Sequence, residues 1–184
     1  MRVSEAPPVH AVFDCMVFLQ GAARQHGPSR ACLDLAEAGM VELWMSTAIL
    51  AELWAVLSRP KLRTKFPVLT ETFIGLFTKR LREHTMFLAD VPLAFAYPRD
   101  PKDEPYHWCP VKSRIEPYLN LAITVRADYL VSRDSDILDL NATDVPDAAR
   151  FQAIAQRTKI VEPPAFLRAL RFRNPYIATA SGIR

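Results

Sequence analysis

Several function classes are disfavoured by what this chain has little of. Only five glycines occur among its 184 residues. None falls into a Gly-x-x-x-x-Gly-Lys-Ser/Thr or Gly-x-Gly-x-x-Gly spacing, which disfavours nucleotide-dependent enzymes built on a phosphate-cradling loop. Three cysteines (Cys15, Cys32, Cys109) are odd in number and widely scattered. That argues against a disulfide framework and for a reducing, cytoplasmic setting. The four histidines, His10, His26, His84 and His107, show no pairing with a serine or cysteine that would suggest a nucleophilic triad. No apolar run approaches the ~20 residues that cross a bilayer, and MRVSEAPPVH lacks a signal-peptide pattern, so no membrane partner is expected. The formal charge of +3 permits a nucleic-acid partner without arguing for one.

What the chain does have is a set of acids placed where strands end. Ala11-Val12-Phe13 reads as a buried strand that delivers Asp14 at its end. Tyr129-Leu130-Val131 reads as a second such strand, followed by Asp134 and Asp136. Carboxylates gathered together raise one another's pKa, a cost that a hard divalent cation removes. A lone Asp after a strand also serves simply to cap the next helix. Between these strands, Pro28–Gly39 has helical spacing closed by Gly39, and Val41–Met45 is a short strand. Ser46 caps a helix over Thr47–Leu57, and Thr70 caps another running to about Arg82, with Phe73, Leu76, Phe77 and Leu81 inward. Glu52 lies within the 47–57 helix, and on position alone it reads as a solvated face residue. Arg59-Pro60-Lys61-Leu62-Arg63-Thr64-Lys65 reads as a basic turn that Pro60 keeps out of the helix, able to meet phosphates or simply to be solvated. Met86–Leu88 and Lys159–Val161 are further strands, 141–158 is ambiguous with a weakly helical run from Pro146, and Pro163–Leu170 is a short helix.

Strands alternating with helices imply an α/β protein, a three-layer α/β/α sandwich on a mostly parallel central sheet. In such folds ligands bind beyond the carboxyl ends of the strands, where Asp14, Asp134 and Asp136 all fall. One domain over 11–170 is expected, with a leader at 1–10 and a basic tail at 171–184 containing Arg171 and Arg173.

VFDCMVFLQ at 12–20, LWMSTAILAELWAVLSRPKLRTKFP at 43–67, YPRDPKDEPY at 97–106 and LNLAITVRADYLVSRDSDILDL at 119–140 follow one another in an order that resembles the PIN (PilT N-terminus) domain. The nearest likeness is to the toxin components of toxin–antitoxin pairs, with a weaker match at VEPPAFLRAL, 161–170. The resemblance implies a ribonuclease dependent on Mg²⁺ or Mn²⁺. Its catalytic and metal-binding acids would be Asp14, Glu52, Asp103 and Asp134, with Asp136 as an accessory carboxylate. It is the resemblance that raises Glu52 from a surface acid to a site residue. Arg59, Lys61, Arg63 and Arg133 are candidate phosphate contacts on an RNA substrate. A cognate antitoxin and a homodimer are the partners implied.

One segment departs from the family pattern. Between Tyr106 and Leu119 lie twelve additional residues, HWCPVKSRIEPY, and Glu104-Pro105-Tyr106 recurs as Glu116-Pro117-Tyr118. The segment 107–118 therefore reads as an insertion flanked by a short direct repeat. It lets the following helix begin near Glu116 and Pro117, with Ser113 and Glu116 at capping-box spacing. Ile115 then stands where Asp103 would stand relative to that helix. Asp103 still reaches the metal, or Glu116 substitutes for it, or the site loses its third carboxylate. The last outcome would leave a scaffold that binds RNA or a partner without cutting. A haloacid-dehalogenase type of phosphotransferase is disfavoured by Met16, which occupies the position where that chemistry needs a second Asp.

Overall fold

Parallel strands wound in two directions from one central strand organise the chain. The structure is a computed structural model that describes residues 8–97, 115–142 and 146–173. In chain order the elements are β1 (Val9–Phe13), α1 (Cys15–Ala23), α2 (Pro28–Glu37), β2 (Val41–Ser46), α3 (Thr47–Leu57), α4 (Pro60–Lys65), α5 (Glu71–Glu83) and β3 (Met86–Leu88). They continue with α6 (Glu116–Thr124), β4 (Tyr129–Val131), α7 (Ser135–Leu138), a 3₁₀ turn, α8 (Pro146–Ile154), β5 (Lys159–Val161) and α9 (Pro163–Arg173). Among the described residues five strands form one sheet in the order β3-β2-β1-β4-β5, and every pairing is parallel. The expected α/β sandwich is therefore the observed fold.

The registers explain the burial pattern. Ala11 aligns with Tyr129 and Phe13 with Val131, so these side chains share one face of the sheet. Phe166 of α9 packs on that face against both Phe13 (ring centroids 5.6 Å apart) and Tyr129 (5.2 Å). Val12 and Leu130 point the other way, and α6 lies across β1, β2 and β4. All of these strand residues are buried, as parallel strands covered on both faces must be. Burying a ring such as Phe166 stabilises the fold by about 1.5–3 kcal/mol.

The caps at the helix ends are as the local chemistry dictates. Ser46 accepts from the amide of Ile49, and Thr70 from that of Phe73, at the starts of α3 and α5. Gly39 has φ +70°. It closes α2 with its own amide donating to Ala36 and that of Met40 donating to Leu35, a Schellman ending.

Four sequence expectations need correction. Residues 60–65 form α4 rather than a turn, because a proline at the first helical position gives up no needed donor and its fixed φ suits a helix start. Leu76 is 64% exposed, and Ile74 and Thr78 take the inward positions of α5. The chain is ordered as helix α9 through Arg173, beyond the boundary expected at 170, and β1 begins at Val9, pairing with Val41. The helix α6 starts at Glu116 with Ile115 as its N-cap residue and no side-chain cap, so Glu116 does not stand at the third position of a capping box. Ser113, its expected partner, lies outside the described residues. Among the described residues no helix is long and apolar enough to cross a membrane.

Candidate functional site

The strand order reverses direction at β1 and β4, and a pocket opens where these two strands end. It has a volume of about 100 Å³ and is lined by Asp14, Cys15, Met16, Glu52, Val56, Arg59, Ile115, Tyr118, Asp134 and Ile137. Three carboxylates thus reach one cavity from three separate places: the end of β1, the middle of α3 and the end of β4.

Asp14 is the most heavily constrained of them. It is the N-cap of α1, and its Oδ1 accepts from the Val17 amide at 2.7 Å. Its Oδ2 accepts from the Ser132 hydroxyl, from the Arg133 amide at 2.9 Å and from the Asp134 amide at 3.3 Å. The loop after β4 is thereby tied to the end of β1, and its Ser132 hydroxyl also accepts from the Asp134 amide at 2.9 Å. Burial pushes the Asp14 carboxyl above its ordinary range; the donors oppose this, and the nearby charge of Asp134 adds to it. An acid held at 2% exposure against such a rise is costly in isolation.

Glu52 is buried on the pocket side of α3, and its Oε2 accepts from the Tyr118 hydroxyl at 2.6 Å. Burial pushes the Tyr118 phenol well above its ordinary value, and the carboxylate of Glu52 pushes it in the same direction. The Cys15 thiol is likewise raised, by burial first and then by Glu52 and Asp14. Asp134 caps the short α7 by accepting from the amide of Asp136 at 3.0 Å.

The other expected site residues fall as follows. Asp136 follows Asp134 in the first turn of α7 but is not part of the pocket lining. Asp103 lies outside the described residues. Glu116 is buried on α6 outside the lining, where its Oε1 accepts from the Tyr97 amide at 2.8 Å. Ile115, one residue earlier, lines the pocket itself at 3% exposure. Arg59 lines the pocket; Arg63 pairs with Glu71 at 3.3 Å, and Lys61 is exposed on α4. Arg133 is exposed, and its guanidinium donates to Gln20 at 3.3 Å. Ser132 and Tyr118 were not singled out from sequence as site residues. The recurrence of Glu-Pro-Tyr ahead of α6 was the available signal for Tyr118. Nothing in a lone Ser after a strand distinguishes Ser132.

The donor set suits a hard divalent cation: carboxylate oxygens, no imidazole, and a thiol that burial keeps protonated. Among the described residues no group of three or more His, Cys, Asp or Glu side chains is close enough to hold an ion by itself. The cavity has room for an ion together with a few waters.

A family model described as PIN domain matches residues 10–136, which is most of the chain and includes every pocket-lining acid. A search of curated proteins found no match.

Proposed function

The chain belongs to the PIN-domain family, whose members are generally metal-dependent nucleases, and from that premise we propose that it is a Mg²⁺- or Mn²⁺-dependent endoribonuclease acting as the toxin of a toxin–antitoxin pair. The observation that carries the reading is the convergence of Asp14, Glu52 and Asp134 on one pocket together with Arg59. Asp14, Glu52 and Asp134 would hold the cation, with Asp103 as a further acid. When bound, such a cation neutralises phosphate charge and makes a potent nucleophile of a coordinated water.

The chain's own residues account for the rest. The Arg59 guanidinium presents a rigid fork of donors suited to phosphate oxygens, and Lys61, Arg63 and Arg133 add positive charge along the approach. Met16, Val56, Ile115 and Ile137 give the pocket apolar walls, which limit bulk water and strengthen the electrostatics inside. The bonds from Ser132, Arg133 and Val17 fix the Asp14 carboxylate before substrate arrives, so little reorganisation remains for the reaction. The setting is cytoplasmic, and the partners are an antitoxin protein and a second copy of the chain.

The test is cleavage of a single-stranded RNA pool with Mn²⁺, against Asp14→Asn, a chelator and DNA of the same sequence. Cleavage of RNA alone, lost in Asp14→Asn and with chelator, supports the reading; equal cleavage by Asp14→Asn sinks it. Expression that arrests growth, and no longer does so with Asp14→Asn, supports the toxin role. A second reading, a scaffold that binds RNA or a partner without cutting, is favoured by Ile115, an apolar residue, lining the pocket at the start of α6. Tight RNA binding without cleavage under any of these conditions would establish it instead.

A further inference from the structure

We propose that Tyr118 is a positioning residue for this site, acting through Glu52; the inference rests on the nuclease reading above. The helix α6 brings two side chains to the pocket, Ile115 and Tyr118, one turn apart. Neither is an acid. Tyr118 is 3% exposed, and its hydroxyl donates to Glu52 Oε2 at 2.6 Å across 66 positions of sequence. That bond joins the first turn of α6 to the middle of α3 at the cavity wall.

Its position distinguishes it from an ordinary core tyrosine. A tyrosine buried for packing alone needs an acceptor for its hydroxyl, and a backbone carbonyl serves as well as any. Here the acceptor is a buried carboxylate that lines the cavity beside Asp14 and Asp134. Glutamate has three rotatable bonds and loses a kcal/mol or more of rotamer freedom when fixed. The phenol contributes to that restraint: it bonds Oε2 and so helps to orient the carboxylate relative to the pocket. Partners of this kind, which orient a ligand without touching the metal, typically change metal affinity or activity by roughly 10–100-fold. The same α6 turn is anchored independently, through Glu116 to the Tyr97 amide and through Asn120 to the amides of Ala94 and Phe95. The helix therefore does not depend on the phenol for its place.

Tyr118→Phe removes one oxygen and keeps the ring. Mn²⁺ binding, followed by the paramagnetic signal of free Mn²⁺, should weaken on the order of 10-fold. The kcat for RNA should fall while KM for RNA stays the same, and the melting temperature of the metal-free protein should move by only a few degrees. In a Glu52→Gln background the same change should cost nothing further, because the group it positions is gone. A Tyr118→Phe protein that binds Mn²⁺ like the parent overturns the proposal. So does a loss of equal size in both backgrounds, which would mark a structural effect unrelated to Glu52. A parent chain that neither binds Mn²⁺ nor cuts RNA overturns the nuclease reading and this inference together. A parent that does both, with Tyr118→Phe unchanged, overturns this inference alone.

Discussion

At the scale of single residues, Asp14 performs two tasks usually treated as alternatives: it caps α1 and it lines the pocket. Each of its oxygens accepts at least one hydrogen bond, so the carboxylate is oriented on both sides. Ser132 is the least replaceable of these donors, being fully buried and bonded to both Asp14 and the Asp134 amide. Ser132→Ala should lower stability by about 1–3 kcal/mol, the usual cost of stranding a buried partner. It should also weaken Mn²⁺ binding, which calorimetric titration would check. Arg59→Ala should leave Mn²⁺ binding unchanged, raise KM for RNA and reduce the slope of log affinity against log salt by about one. Burial raises both the Cys15 and the Cys32 thiols. Peptide mapping after brief alkylation at neutral pH should therefore find both unlabelled in the native protein and labelled in denaturant. Labelling of native Cys15 would contradict a closed pocket wall.

At the scale of elements, the legible parts were those with local causes. Ser46, Thr70 and Gly39 announced their caps because each bonds within its own turn. The strands and their terminal acids were legible because apolar runs followed by Asp have few other uses in an α/β chain. What was not legible depended on distant partners. Leu76 fits the helical stripe of α5 as well as Ile74 does, and only the packing of α5 against α3 decides between them. Glu52, buried on α3, takes a hydrogen bond from a hydroxyl 66 residues away. Asp128 is another such case. It receives the His10 amide at 3.0 Å and the Arg157 guanidinium at 2.7 Å, while its own carbonyl accepts from Lys159, tying together the starts of β1, β4 and β5. Burial pushes its carboxyl up, but the His10 amide and Arg157 outweigh burial and hold it below the ordinary value. A depressed native pKa contributes stability above the unfolded value of about 3.9, and that contribution is lost as pH falls through the native pKa. Asp128→Asn should lower the melting temperature by about 2–4 °C at neutral pH, a loss of about 1 kcal/mol. The difference from the parent should shrink on acidification below pH 4, as thermal melts across a pH series would show.

At the scale of the whole molecule, the acids converge because the chain winds outward from β1 in both directions, leaving its reversal point open between β1 and β4. The segment 107–118, which the sequence reads as an insertion, ends within the first turn of α6. Deleting those twelve residues joins Tyr106 to Leu119 and sets Asp103-Glu104-Pro105-Tyr106 where Ile115-Glu116-Pro117-Tyr118 now stand. Three of the four residues are the same, so the bonds to Tyr97 and Glu52 are preserved and only Ile115 changes, to an acid. The deletion and Ile115→Asp should therefore behave alike. Without metal, an added carboxylate at this position beside Asp14, Glu52 and Asp134 adds repulsion, partly offset by a better N-cap for α6. With metal it adds a ligand. Binding at a hundredfold excess over Kd stabilises a fold by about 2.7 kcal/mol, which is about 5–10 °C for a chain of this size. Both variants should reach that shift at several-fold lower Mn²⁺ than the parent, and Asp14→Asn should show no shift at any concentration. If the parent matches Ile115→Asp, the position of Ile115 does not limit metal binding. If neither responds to Mn²⁺, the convergence of carboxylates on this pocket serves the fold alone, and the nuclease reading fails with it.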